Sequence, residues 1–391
     1  MKIAGIICEY NPFHLGHRTQ IEKIRKEFGP DTAIIGVMSG HFVQRGEPAC
    51  MDAYTRAAMA AACGVDLVLA LPTEKTLSSA EGFARAGVEI LDRLGCVDVL
   101  SFGCESQDAS AVLAAARAME EPGFEEKLHD AVSTGLSYAA AKQQVLEEVT
   151  GITGILKTPN DILGAEYCRA LLRRQSSIQP APIHRPGSYH DVSADRVAPS
   201  ATAVRRLLDG GWEPYVPQET QEIMDAASKY SLEAGERAML ARLRAMSEEE
   251  WSTVAHGSEG LWRKVMKAVR SQTSVAEILE ASRSKRYPMT RLMRLLMCAY
   301  LGIGEADLKR PIEEVRILAL GQRGGELVKL CRTCGDIVLR NPGEKFAEPE
   351  QERRCSDLFA LFCRELSGAK PAMEQNARIF LEKNEKNTCK M

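Results

Sequence analysis

The strongest constraint on this chain is an alternation in its N-terminal quarter. Short runs of apolar, largely β-branched residues lie at Lys2–Cys8, Thr32–Met38, Val65–Leu71 and Val97–Phe102. Helical patterns separate them at Gly16–Phe28, Ala53–Cys63 and Ser79–Leu94. The runs are apolar throughout rather than at every second residue, so both faces must be covered. Strands of that kind joined by helices form a parallel sheet with right-handed crossovers and helices on both sides. The expectation is an α/β fold with a Rossmann-like, doubly wound parallel sheet. Ser177–His184 reads as a further strand, and helical patterns cover Ala109–Val149 and Ile162–Arg173.

The stretch Arg185–Pro199 is rich in Gly, Pro, Ser and His and reads as a loop, after which Ser200 caps a helix running to Leu208. Beyond Gly210-Gly211 the composition changes. Residues 218–307 are almost wholly helical in pattern; short strand-like pieces (VRILAL, DIVL) return after Val315, followed by a helix at Asp357–Leu366. A boundary is therefore expected near 210, with an α/β unit at 1–210 and a mainly helical unit at 211–391. A length of 391 residues allows both. Hydrophobic residues at 45% and charged residues at 26% exclude a disordered chain. No apolar run approaches the ~18–20 residues of a membrane span. The run MKIAGIIC, followed at once by Glu9, is too short for a secretory leader, so the expected location is the cytosol. Twelve scattered cysteines in that compartment argue against a disulfide framework.

The chemistry concentrates between the first strand and the first helix, in Cys8-Glu9-Tyr10-Asn11-Pro12-Phe13-His14-Leu15-Gly16-His17. A helix N-terminus offers unpaired N–H groups and a partial positive charge to an anion. Gly16 lets the backbone approach phosphates without a Cβ in the way. Two imidazoles three residues apart on the first turn can both donate to one phosphoryl group. In a displacement at an α-phosphate, the protein mostly positions groups and stabilises charge on the equatorial oxygens. Asn11-Pro12 turns the chain so that His14 stands at the strand end, where α/β folds bind ligands. A bare His-x-Gly-His more often describes capping or surface histidines; its place after a buried first strand and before a helix favours the phosphate reading. Metal binding is the weaker rival, because no carboxylate or thiolate pair at ligand spacing accompanies the two imidazoles.

A strand followed by NPFHLGH resembles the HxGH nucleotidyltransferase superfamily, which includes adenylyl- and cytidylyltransferases. A longer series is narrower: EYNPFHLGH, MSGHFVQRGEPA (Met38–Ala49), GVDLVLALP (Gly64–Pro72), FGCE (Phe102–Glu105), TPNDILGAEY (Thr158–Tyr167), SATAVRRLL (Ser200–Leu208), SKRYPMTRLMR (Ser284–Arg294) and ILALGQRGGELV (Ile317–Val328). Together these look like the bacterial tRNA(Met) cytidine acetate ligase family over about residues 1–330. The resemblance implies an enzyme that joins ATP and acetate into acetyl-adenylate and pyrophosphate. It then moves the acetyl group to N4 of the wobble cytidine of elongator tRNA(Met), giving N4-acetylcytidine. It also implies that ATP is surrounded by Ile7, Cys8, Glu9, Tyr10, Asn11, Pro12, Phe13, His14, Leu15, Gly16, His17, Arg18, Thr19 and Gln20. Within that set His14 and His17 would be the catalytic pair on the phosphates. Gly103, Asn160 and Arg185 match nucleotide-binding positions: bare backbone for a base or ribose, an amide for an adenine edge or hydroxyl, and a guanidinium for a phosphate. Ser200, Thr202 and Arg205 match the turn that closes over the triphosphate, although the block alone reads as an ordinary capped helix. Mg²⁺ is expected with ATP, without a named carboxylate ligand. His41 stands where the family has Asn, and no role is assigned to it.

Residues 263–294 hold nine Lys/Arg against two Glu. Arg263, Lys264, Lys267, Arg270, Lys285, Arg286, Arg291 and Arg294, with Trp262 and Tyr287 interleaved, read alone as a solvated helix face. Beside the family resemblance they read as a tRNA-contacting stripe, with aromatics available to unpaired bases. Gln44-Arg45-Gly46 can face the same crevice or form an exposed turn. Cys331 and Cys334 make a C-x-x-C, but Cys355 and Cys363 stand too far apart for a second zinc pair, and no metal site is assigned. Two rivals to the ligase stand: a small-metabolite nucleotidyltransferase, and a non-catalytic tRNA-binding protein on the same fold. A small substrate needs no long basic helical unit, and an intact His-x-Gly-His favours turnover. Acetate-pocket residues, a base for acetyl transfer and the oligomeric state have no sequence signature here.

Overall fold

The apolar runs form buried strands whose alternate residues feed two different cores. A computed structural model describes residues 1–106, 109–154, 158–184, 199–341, 350–373 and 377–382. The first unit runs β1 (Ile3–Cys8), α1 (Leu15–Phe28), β2 (Ala33–Ser39), α2 (Ala53–Ala62), β3 (Leu67–Leu71), α3 (Thr73–Thr76), α4 (Ala80–Arg93) and β4 (Val99–Cys104). Helices α5 (Ala109–Glu120), α6 (Phe124–Ser133), α7 (Tyr138–Thr150) and α8 (Pro159–Arg174) lead to β5 (Gln179–His184) and α9 (Ala201–Arg206). The helical stretch comprises α10 (Gln218–Ala226), α11 (Leu232–Ala245), α12 (Glu248–Thr253), α13 (Leu261–Val269), α14 (Val275–Ser282), α15 (Met289–Leu301) and α16 (Glu305–Lys309). The chain then adds β6 (Glu314–Leu320), α17 (Gly324–Cys334), β7 (Val338–Arg340), α18 (Glu350–Ala360) and β8 (Phe380–Leu381).

The strands lie in the order β5-β4-β1-β2-β3-β6-β7, with β8 beside β6. From β5 to β3 all pairings are parallel, as in Ile7 beside Val37 and Ile6 beside Ser101. Ile3, Ile7, Ile35, Val37 and Leu69 face one core with Phe83, Val88 and Leu91 of α4 and Cys168 and Leu171 of α8. Ala4, Ile6, Ile34, Met38 and Val68 face the other, against Ile21 and Ile24 of α1 and Met59 of α2. This is the doubly wound α/β arrangement, and its ligand crevice opens at the carboxyl ends of the strands around β1.

The helical stretch has its own core of Met239, Leu243, Trp251, Val265, Leu292 and Leu296, into which Phe42 and Leu77 of the first unit also insert. The expected division at 210 does not describe the sheet. β6 returns to pair antiparallel with β3, Val68 opposite Ala319, and Ile317 and Leu327 join the core beneath α4. The apolar run of β6 thus covers an edge that β3 would otherwise present to solvent. The helix expected at Asp357–Leu366 stands earlier, at α18, because the chain leaves the helix after Ala360 and bridges Cys363 to Tyr230. No helix among the described residues is long and apolar enough to cross a membrane.

Candidate active site

The two histidines cap the helix that presents them. His14 is the N-cap of α1, in extended backbone, and its Nδ1 accepts the Gly16 N–H at 3.1 Å. His17 turns its Nδ1 back to accept the His14 N–H at 3.2 Å. An acceptor Nδ1 carries no proton, so each neutral ring carries its proton on Nε2. The rings stack with centroids 3.7 Å apart; Tyr10 meets His17 edge-on at 4.8 Å, and Phe13 lies tilted against it at 5.4 Å. Gly16 has a further local reason: a Cβ there would stand 3.0 Å from Cε1 of His14. Capping therefore does not exclude phosphate contact, since it engages only the Nδ1 of each ring.

The loops are fixed from behind by Arg56, which is fully buried in α2. Its Nε donates to the Met51 carbonyl at 3.1 Å, and its terminal nitrogens donate to the carbonyls of Glu9, Ser39 and Gly40. Asn11 accepts the Cys50 N–H at 2.7 Å through its side chain, while its carbonyl accepts Arg205 Nη1 at 2.7 Å. Arg205 Nη2 also donates to Thr202 Oγ1 at 3.1 Å, and Ser200 Oγ accepts the Ala203 N–H at 3.0 Å. On the other flank Asp161 Oδ1 accepts the N–H groups of Glu105 and Ser106 at 2.8 and 3.2 Å, and Asn160 donates to Glu105 at 2.7 Å. These contacts bring segments almost two hundred residues apart to one place.

The place is a cavity of about 550 Å³ at the strand ends. His14, His17, Gly103, Asn160, Ser200, Thr202 and Arg205 all line it, with Ile7, Cys8, Glu9, Tyr10, Asn11, Gly16, Thr19 and Gln20. Pro12, Phe13, Leu15 and Arg18 do not; Phe13 is core, and Arg18 pairs outward with Glu22 and Glu219. Arg185 lies outside the described residues. Lys23, Gln44, Arg45, Thr290 and Arg294 also belong to the wall. The Gln44-Arg45 turn thus faces the crevice, and the Gln44 N–H donates to Glu9 Oε1 at 2.6 Å. Burial pushes the Glu9 carboxyl above its ordinary range, opposed by the Gln44 N–H and the Arg56 and Arg205 cations.

A family model described as HIGH Nucleotidyl Transferase matches residues 1–366. The tRNA(Met) cytidine acetate ligase of Thermosipho melanesiensis is 32% identical over 361 residues, covering 88% of this chain and 85% of that protein. Its counterpart in Alkaliphilus metalliredigens is 34% identical over 401 residues, covering 92% and 94%. The chain belongs to the tRNA(Met) cytidine acetate ligase family. Among solved structures, apo Thermotoga maritima TmcAL superimposes with a TM-score of 0.89 at 27% identity, over 98% of this chain and 100% of that one. The same protein bound to α-thio ATP superimposes at 0.85.

In this member of the ligase family the basic segment divides. Arg263, Lys264, Lys267 and Arg270 stand on the exposed face of α13, and Lys285 and Arg286 are exposed before α15. Arg291 is half-buried, donating to the His256 carbonyl at 3.3 Å and to Ser258 at 2.9 Å. Arg294 departs from the stripe: it is buried and faces the cavity, because a helix of 3.6 residues per turn carries it to the inner face of α15. Trp262 is also buried, under Arg263, so it offers no face to a base. His41 is a core residue stacked on Phe359 and accepting the Ala53 N–H. Cys331 faces Cys96 at 3.5 Å, while Cys355 and Cys363 belong to the helical core. No described group of three or more His, Cys, Asp or Glu is placed to hold a metal ion. Arg56 and Asp161 were missed in the sequence, where each reads as an ordinary charged position on a helix.

Proposed function

We propose that this protein activates acetate with ATP and acetylates the wobble cytidine of elongator tRNA(Met). A carboxylate oxygen attacks the α-phosphorus, the bond to the β-phosphate oxygen breaks, and pyrophosphate leaves with the electron pair. The N4 amine of the cytidine then attacks the acetyl carbonyl, losing one proton, and AMP departs. His14 and His17 donate from Nε2 to the oxygens of the α-phosphate, where charge accumulates in the first step. Gly103 and Asn160 receive the nucleoside on the β4 side, Arg185 pairs with phosphate, and Ser200, Thr202 and Arg205 take the outer phosphates. Mg²⁺ enters with the nucleotide as part of the substrate. Glu9 is the one carboxylate among the described residues of the wall, and a magnesium ion that keeps its waters and phosphate oxygens needs no protein cage.

The observation that carries this reading is convergence: the histidine cap, the β4 end and the Ser200–Arg205 block line one cavity in a chain of this family. The exposed cations of α13 and of residues 285–286 supply a surface for RNA phosphates, and the working compartment is the cytosol, where the tRNA is. A small-metabolite transferase would have no use for that surface. The test is incubation with labelled acetate, ATP and elongator tRNA(Met), followed by nucleoside analysis. Label in N4-acetylcytidine, lost when ATP is withheld, supports the reading; label absent from the RNA overturns it.

A further inference from the structure

Arg294 is a cation without a counter-charge among the described residues. It is 8% exposed, it forms no ion pair among the described residues, and its Nε is buried without a hydrogen-bond partner. Burial, reinforced by Arg291, pulls its pKa down to about 10. A buried charge in that condition costs several kcal/mol unless something pairs with it, and the side chain lines the cavity described above. Its position is not loose. Gly46, at φ 91°, seats the Gln44–Gly46 turn on α15, so closely that a Cβ there would stand 2.6 Å from the Arg294 backbone nitrogen. The turn that carries Gln44 and Arg45 into the wall therefore also fixes Arg294.

Strand order says which part of the cavity this is. The nucleoside side, with Gly103 and Asn160, lies at β4, and the histidine cap follows β1. Gln44 and Arg45 follow β2, on the opposite side of β1 from β4, and Arg294 stands against Gly46 of the same turn. If ATP lies across β4 and β1, as the function proposed above requires, the β2 side is what remains for the acid. Acetate is ionised at neutral pH and has two carbons, so apolar contact contributes little to holding it. A charge-assisted pair with a guanidinium is the strong interaction open to it.

We propose that Arg294 binds the carboxylate of acetate and holds it against the α-phosphate. One carboxylate oxygen attacks phosphorus while the other stays on the guanidinium and becomes the carbonyl oxygen of the mixed anhydride. Arg294 keeps all its protons, and the electron pair of the cleaved bond leaves with pyrophosphate. The cation also offsets the repulsion between two anions brought together in a space with little water. This assignment rests on the reading of the site as an acetate-activating one.

The test is ATP–pyrophosphate exchange with Arg294→Lys and Arg294→Met, titrating acetate at saturating ATP and ATP at saturating acetate. Binding of a non-hydrolysable ATP analogue and of tRNA(Met) is measured on the same proteins, with thermal unfolding as the check that each folds. The half-saturating acetate concentration should rise at least about ten-fold in Arg294→Met, and less in Arg294→Lys, which keeps the charge but loses the fork. Affinities for the ATP analogue and for tRNA should stay within about two-fold. Should Arg294→Met fail to fold, Arg294→Lys decides alone through the same acetate shift. Weaker binding of the ATP analogue at unchanged acetate dependence would make Arg294 a phosphate ligand, and weaker tRNA binding alone would make it an RNA contact; either overturns the assignment. If the unaltered protein shows no acetate-dependent exchange, the functional reading itself fails, which is a different result.

Discussion

In the proposed function His14 and His17 each use one ring for two purposes, and the purposes separate by nitrogen. Nδ1 closes the start of α1, and both residues line the cavity, where Nε2 would meet the phosphate. His14→Asn keeps a good capping acceptor and removes the Nε2 donor, so stability should change by less than about 1 kcal/mol. Pyrophosphate exchange should nevertheless fall about 10²–10³-fold, the usual cost of one charge-stabilising donor; His17→Ala should fall similarly. Exchange near the unaltered rate in both variants would remove these residues from the chemistry. Arg56 is the contrasting case, a charge that touches no ligand. In Arg56→Met the carbonyls of Glu9, Ser39, Gly40 and Met51 lose their shared donor. Unfolding in denaturant should show a loss of about 3 kcal/mol or more. A loss below about 1 kcal/mol would mean that the loops hold themselves.

Between elements, the α/β and helical parts meet where His256 Nε2 lies 2.7 Å from the Leu77 carbonyl. Burial, then the Arg294 and Arg291 charges, lower the His256 pKa from its ordinary 6.5 to about 4. The sign follows: below 6.5 the unfolded chain takes up a proton that the native chain refuses, so stability falls as pH drops, until about 4. The part-exposed site limits this to roughly 2 kcal/mol. The expected result is a drop in melting temperature between pH 7 and pH 4.5 that is visibly flatter in His256→Gln; equal slopes would contradict it. Elements whose burial shows in a continuous apolar run were legible in the sequence, and hence β1 to β4 and the place of His14 at the end of the first. Relations set by long-range packing were not. Nothing local to VRILAL says that it closes the β3 edge rather than starting a separate unit. Nothing in the Arg291–Arg294 spacing separates an RNA-facing cation from one turned into the cavity. Arg56 sits in an Ala-rich helix that gives no hint that two loops wrap around its guanidinium.

Across the whole molecule, the proposed function divides the work. Adenylate would form in the crevice around β1, and the exposed cations of the helical stretch would hold the RNA that receives the acetyl group. Reversing charge at Lys285→Glu with Arg286→Glu should abolish transfer to tRNA and leave exchange within about two-fold. Joint loss of both would mean that the segment serves the fold. The central claim is that activation precedes and does not need RNA. Acetate-dependent ATP–pyrophosphate exchange by the unaltered protein with no tRNA present tests it most directly. The expected result is robust exchange that saturates with acetate and vanishes without it; exchange that is absent until tRNA is added, or that proceeds equally without acetate, would contradict the account.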